Sequence, residues 1–166
     1  ERSLQTIALL RALWVPVFAR EQQQTLLETV LLSAETLITF RRQYSDSDDL
    51  RCGLELVLLD TRNPRSLLYQ LQSLQSNLDL LPDSAPSETL VPAGARRSVL
   101  EAVAKVQLTD PDQLTVAPDE QRRDALETLL LELRTLLLEA ALAISDRYFD
   151  HSEGPHQLID SEWAGD

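Results

Sequence analysis

The chain has 166 residues, with 15 Lys+Arg against 27 Asp+Glu and a net charge of -12. That length suits one domain able to bury a real core. An acidic field of this sign repels phosphate backbones, so nucleic acid is not an expected partner without a local basic patch. Only 4 Gly are present, and the β-branched and aromatic runs of strands are scarce, so the pattern reads as helical nearly throughout. The single cysteine, Cys52, forms no internal disulfide, which fits a reducing cytoplasm, and it reads as a small buried apolar group. No run of about 18 apolar residues spans a bilayer, and no signal peptide is visible, so the expected location is cytoplasmic, with no membrane partner. The chain holds no Met, and a helical pattern is already running at Glu1-Arg2. The expectation is a parent chain that begins upstream.

Helix one is expected over residues 1–14, ending near Pro16, whose ring cannot donate to the preceding turn. A longer helix two is expected over 21–44, with Leu27, Val30, Leu31, Ala34 and Ile38 on one face and Arg41 and Arg42 in its last turn. Residues 45–49, SDSDD, form a polar break that caps helix three, which runs to Leu59. The chain then turns at Thr61-Arg62-Asn63. Asn63 is expected as the N-cap and Pro64 as the first residue of helix four, where no N–H is needed. Leu67, Leu71, Leu74, Leu78 and Leu81 line one side of that helix. Arg65 and Ser66 would then sit among unpaired backbone N–H groups in its first turn.

Residues 82–92 carry three prolines and read as a loop, residues 93–108 as helix five, and Asp110-Pro111 as a short turn. The last helix is expected over 119–150, with acids in its first turn. Residues 1–151 are expected to form the domain and 152–166 a flexible polar tail. The expected fold is all-α: an antiparallel bundle of five to six helices with a long central C-terminal helix.

That last helix carries two apolar stripes. Leu126, Leu129, Leu130, Leu133, Leu136, Leu137, Ala140, Ala141 and Ile144 form the broad one. Leu131, Leu138, Leu142 and Phe149 form the second, separated by Glu127, Arg134 and Ser145. A surface helix needs one stripe, so two imply a central helix or an interface.

Four places could carry chemistry. At the Asn63 turn, Arg65, Ser66 and free N–H groups suit a carboxylate or phosphate; the structural alternative is a capped helix start whose arginine pairs with an acid such as Asp60. Arg41 and Arg42 beside Tyr44 could grip an anion, or simply complement a helix C-terminus. Arg147, Tyr148 and His151 close the last helix; Arg147 falls on the apolar side and needs a partner if buried, while His151 suits a helix end. Glu1-Arg2 is an acid and a base at a chain end. No Gly-rich phosphate loop, HExxH, Cys/His metal spacing or Ser-His-Asp order is present, so no metal site is expected.

Four stretches, ERSLQTIALLRAL, ITFRRQY, LLLDTRNPRSLLYQL and SDRYFDH, resemble in the same order the C-terminal half of the bacterial alpha-E domain, an all-helical domain named for its Glu-Arg motif. The NPRS-type turn and the FRR-x-Y stretch are the most specific parts. The resemblance marks Glu1, Arg2, Arg41, Arg42, Tyr44, Asn63, Pro64, Arg65, Ser66, Gln70, Tyr148 and His151 as family-motif positions. It also implies context. Alpha-E domains are fused to, or encoded beside, circularly permuted ATP-grasp-type ligases, and occur near transglutaminase-like proteins.

The expected function is therefore a helical module, not catalytic on its own, that acts with such a ligase in forming or modifying peptide or amide bonds. No cofactor is expected in this chain, and ATP with Mg belongs to the ligase. One alternative is an anion- or substrate-binding domain using Arg65, Arg41 and Arg42; another is a plain interaction or oligomerisation bundle. The second stripe is expected to meet the N-terminal half of the domain or a second subunit, with helix one as the rival cover through Leu9, Leu13 and Trp14.

Overall fold

Local capping chemistry sets the starts of several helices. The computed structural model describes residues 1–44, 49–80 and 93–148, except for the side chains of 93, 147 and 148. Helix α1 (Arg2–Leu13) is followed by α2 (Arg20–Ser33) and α3 (Leu37–Tyr44). Helix α4 (Leu50–Leu54) runs into a π-helical turn, Glu55–Leu59, and then come α5 (Leu67–Asp79), α6 (Ala93–Gln107), α7 (Pro111–Thr115) and α8 (Asp124–Tyr148). No strand occurs among the described residues, and the all-α expectation holds.

Four places differ from the periodicity reading. The expected helix over 21–44 is two helices. After α2, Glu35 takes a left-handed conformation (φ 57). Its N–H donates to Leu32 O at 3.0 Å and the Thr36 N–H to Leu31 O at 2.8 Å, the paired closure of a Schellman turn. Glycine or Asn usually takes that position, so Glu35 gives no breaker signal. Helix α5 starts at Leu67 rather than Pro64, with Ser66 as N-cap: its Oγ accepts from the Tyr69 N–H at 3.1 Å. The turn expected at Asp110-Pro111 forms a short helix, with Pro111 at its start and the Asp110 carboxylate accepting from the Asp112 N–H.

The last helix begins at Asp124, five residues after the expected Asp119. Its approach is held by a second chain segment. The Val17 N–H donates to Gln121 O at 2.8 Å and the Arg123 N–H to Val15 O at 2.9 Å, around an antiparallel bridge of Pro16 with Arg122. This pairing stops α1 and positions α8 at the same point.

The core is built by α1, α2, the π-helical turn, α5, α6 and α8. Ile7, Leu10, Leu31, Leu54, Leu67, Leu71, Leu126, Leu130 and Leu133 are fully enclosed. The wider π turn coincides with three consecutive buried residues, Leu56, Val57 and Leu58, which one stripe of an ordinary surface helix would not hide. A smaller cluster of Leu78, Ala95, Val99 and Ala140 joins α5, α6 and α8 beyond the main core. The broad stripe of α8 is the buried one, except that Ala141 is exposed and Leu136 and Ile144 are half-buried. In the second stripe, Leu131 is 40% and Leu142 63% exposed, and Leu138 is half-buried. Helix α1 therefore does not cover it. Phe149 lies outside the described residues.

Candidate functional site

The central turn is held by its own side chains. Asn63 is buried; its Nδ2 donates to Leu56 O at 3.2 Å and its Oδ1 accepts from the Arg65 N–H at 3.0 Å. The Ser66 N–H donates to Asn63 O at 2.9 Å, and Ser66 Oγ donates to Asp60 O. Asn63 thus shapes the turn that delivers the Ser66 cap, and it does not cap α5 itself.

From this turn Arg65 reaches back to the turn that follows α2, where its guanidinium pairs with the Glu35 carboxylate. Asp60, the partner suggested by sequence, instead accepts from the Arg62 N–H at 2.8 Å. Gln70, one turn along α5, donates through Nε2 to Arg65 O at 3.0 Å and accepts at Oε1 from Ser3 Oγ at 3.0 Å. That last bond ties the turn to the first turn of α1.

A hollow of about 250 Å³ lies between them, lined by Arg2, Gln5, Thr6, Glu35, Arg65 and Gln70 among others. Arg2 makes no ion pair among the described residues. Two guanidinium groups face one carboxylate there, so the hollow carries a net positive balance in an acidic chain. Of the sequence candidates, this brings together Arg2, Arg65 and Gln70. Glu1 is exposed beside Arg2 and does not line the hollow.

Arg41 and Arg42 are not part of this lining. Arg41 pairs with Glu28 at 3.3 Å on the exposed side of α2 and α3, and Arg42 is exposed. The Tyr44 hydroxyl donates to Glu55 Oε2 at 3.3 Å, and its ring packs on Phe40 with centroids 5.2 Å apart. Burial, and next the Glu55 charge, push the Tyr44 phenol up to about 12. Arg147 and Tyr148 fall in the last turn of α8, but their side chains, and all of His151, lie outside the described residues. No group of three His, Cys, Asp or Glu suited to a metal ion occurs among the described residues.

A second hollow, of about 600 Å³, sits at the other end of α1. Arg123, which the sequence reading passed over, is its buried charge, only 6% exposed. Nη1 donates to Trp14 O at 2.9 Å and Pro16 O at 3.1 Å, and Nη2 donates to Gln23 Oε1 at 3.1 Å. No carboxylate pairs with it among the described residues, and burial alone pushes its pKa down. One sequence signal existed: Arg122-Arg123 at the start of a long helix opposes the helix dipole, so these cations must be held by something else. Arg122 is held by Glu127 at 2.5 Å, which also approaches Arg11 at 3.6 Å.

The comparisons with known proteins agree with the fold. An uncharacterised protein of Mycobacterium bovis, and uncharacterised proteins of two Mycobacterium tuberculosis strains, are each 30% identical to the chain over 141 residues. That region covers 85% of this chain and 15% of each relative, so the chain spans a small part of their length. No solved structure matches. No helix among the described residues is long and apolar enough to cross a membrane. Residues 1–149 match the Alpha-E family, described as a predicted alpha-helical domain with a conserved ER motif. Glu1-Arg2 is such a pair, and the chain belongs to the Alpha-E family.

Proposed function

We propose that the chain is a helical module that acts with an ATP-grasp-type ligase, in the same polypeptide or encoded beside it, in forming or modifying peptide or amide bonds. The observation that supports this is the coverage of its relatives: this helical segment corresponds to 15% of a much longer chain, as an accessory module would. In this reading ATP and Mg bind the ligase, and a transglutaminase-like protein is a further neighbour. The stripe of exposed Leu131 and Leu142 with half-buried Leu138 supplies a docking face for the rest of such a polypeptide, because an apolar stripe on a rigid helix is a frequent contact surface.

The test uses the full-length parent, with and without the segment matching residues 1–149. The expected result is ADP release dependent on an amino acid or peptide acceptor in the parent, reduced when the segment is deleted. A full-length protein that neither binds nor hydrolyses nucleotide, and does not change the activity of a ligase encoded beside it, would sink the ligase reading.

A second reading is favoured by the convergence of Arg2, Arg65 and Gln70: this hollow binds an anionic group, because forked guanidinium donors match carboxylate and phosphate oxygens. Saturable binding of sulfate or glutamate, weakened by Arg2→Gln, is the expected outcome. Binding unchanged in that variant places the anion elsewhere.

A further inference from the structure

The hollow at the C-terminal end of α1 holds a charge that no carboxylate among the described residues balances. Among the described residues Arg123 is buried and bonded only to neutral oxygens, and a buried cation without a counter-charge is costly. Two donors at this place are also left without acceptors: Arg123 Nε and the indole Nε1 of Trp14 are both buried and unpartnered among the described residues. Trp14 is only 2% exposed. Both residues line the hollow.

The rest of the lining sets the ligand's character. Leu13, Leu27 and Leu50 give apolar walls, and Arg20, which is exposed, adds a second cation. Asp49 also lines the space, with its carboxylate accepting from the Arg51 N–H at the start of α4. Among the described residues, two guanidinium groups line it against one carboxylate. A volume of about 600 Å³ is within the usual range for small-molecule sites.

We infer that this hollow binds a small molecule with a carboxylate head and an apolar body. The head lies toward the Arg123 guanidinium, beside the Trp14 indole, and the body against the leucine walls. A carboxylate is favoured over a phosphate because its planar pair of oxygens suits a guanidinium edge while leaving the apolar walls something to cover. The site is separate from the Arg2 and Arg65 hollow, and its test does not depend on any ligase activity.

The experiment is a titration of the ¹⁵N-labelled chain with N-acetylleucine and phenylacetate, with N-acetylleucinamide and inorganic phosphate as comparisons. The readout is the Trp14 indole N–H resonance, distinguished from Trp163 by a Trp163→Phe variant. The expected result is a saturable shift with at least one carboxylate and none with the amide. Arg20→Gln should raise the Kd about three- to tenfold, as loss of an exposed charge does, while the melting temperature holds. No shift with either carboxylate, or an equal shift with the amide, overturns the proposal and leaves Arg123 as a tie between chain segments. A shift with phosphate alone overturns the carboxylate assignment. An unchanged Kd in Arg20→Gln also counts against the site, because this variant leaves the buried tie intact.

Discussion

The two ends of α1 each hold an arginine that reaches another segment, and they do so in opposite ways. At the N-terminal end, Arg65 is half-exposed and meets the carboxylate of Glu35, itself open to water. At the C-terminal end, Arg123 is buried and meets two backbone carbonyls and an amide oxygen. Water screens the first pair, so its net contribution is small. The second is a tie, because three oxygens of the Trp14–Gln23 stretch depend on one side chain. Charge counting alone would rank the ion pair first; burial reverses that order.

The largest expected effect breaks the buried end. Arg123→Ala leaves Trp14 O, Pro16 O and Gln23 Oε1 without this donor. It should destabilise by about 2–4 kcal/mol, since hydrogen bonds to a charged group are the stronger kind and part of the loss is offset by removing a buried charge. Thermal melting should fall by roughly 5–15 °C. A fall within the scatter of surface variants would show that the backbone pairing of Val15 and Val17 with Gln121 and Arg123 holds this corner unaided.

Next is the packing beneath the same end. A Cβ on Gly53 would stand 2.6 Å from Leu27 Cδ1 and 3.1 Å from Trp14 Cη2. Helix α4 comes this close only because residue 53 has no side chain. Gly53→Ala should cost about 1–3 kcal/mol through overpacking. It should also move the Trp14 indole resonance, which a change far from this corner would not. An unchanged melting curve and an unmoved resonance would mean that Leu27 simply turns aside.

The central turn was legible as a turn but not in its detail. Asn63-Pro64 is a strong helix-start signal, and the residues that build the turn were identified, yet the cap is Ser66, three residues later. Local preference could not show that the Asn63 amide is drawn down to Leu56 O, a bond that depends on where the π-helical turn ends. The same limit hid Arg123, whose partners lie about 100 residues away in sequence. It also merged α2 with α3, because Glu35 is in a conformation that its residue type rarely adopts. What periodicity did carry was the burial of α8. Leu126, Leu130, Leu133 and Leu137 point inward while Leu131 and Leu142 point out, as the stripe spacing implies. The hollow with Arg2, Arg65 and Gln70 grouped three candidates whose placing depends on how α1, α2 and α5 pack, which one helix pattern cannot encode.

A smaller effect separates the two roles at that turn. Ser66→Ala removes the acceptor for the Tyr69 N–H and should cost about 1 kcal/mol, the usual value of an N-cap. Asn63→Ala should cost about 1–2 kcal/mol, because it leaves the buried Leu56 carbonyl without that donor and also loosens Arg65. The difference to look for is in the Arg2 hollow. Ser66→Ala should leave the Gln70 amide resonances in place, and Asn63→Ala should shift them. Equal shifts in both would mean that the cap, and not the Asn63 turn, positions Arg65 and Gln70.

The smallest expected effect tests whether the exposed end of α1 contributes to stability at all. Glu35 has two roles that pull in opposite directions: its carboxylate pairs with Arg65, and its backbone sits at φ 57. Replacing it with Ala removes the pair and keeps the unfavourable backbone. Replacing it with Gly removes the pair and relieves the backbone by about 1 kcal/mol, partly offset by the greater freedom of glycine in the unfolded chain. The pair itself is worth about 0.2–1 kcal/mol, because both groups are open to solvent and salt screens them. Glu35→Gly should therefore melt close to the unaltered chain and above Glu35→Ala. Raising the salt concentration should narrow the gap between the unaltered chain and Glu35→Ala but leave the gap between the two variants unchanged. If both variants fall together by more than about 1 kcal/mol, the Arg65 pair is a structural tie like Arg123, and the contrast between the two ends of α1 disappears. If the expected order holds, Arg65 can exchange Glu35 for an incoming anion at little cost to the fold, as a binding role for this hollow requires.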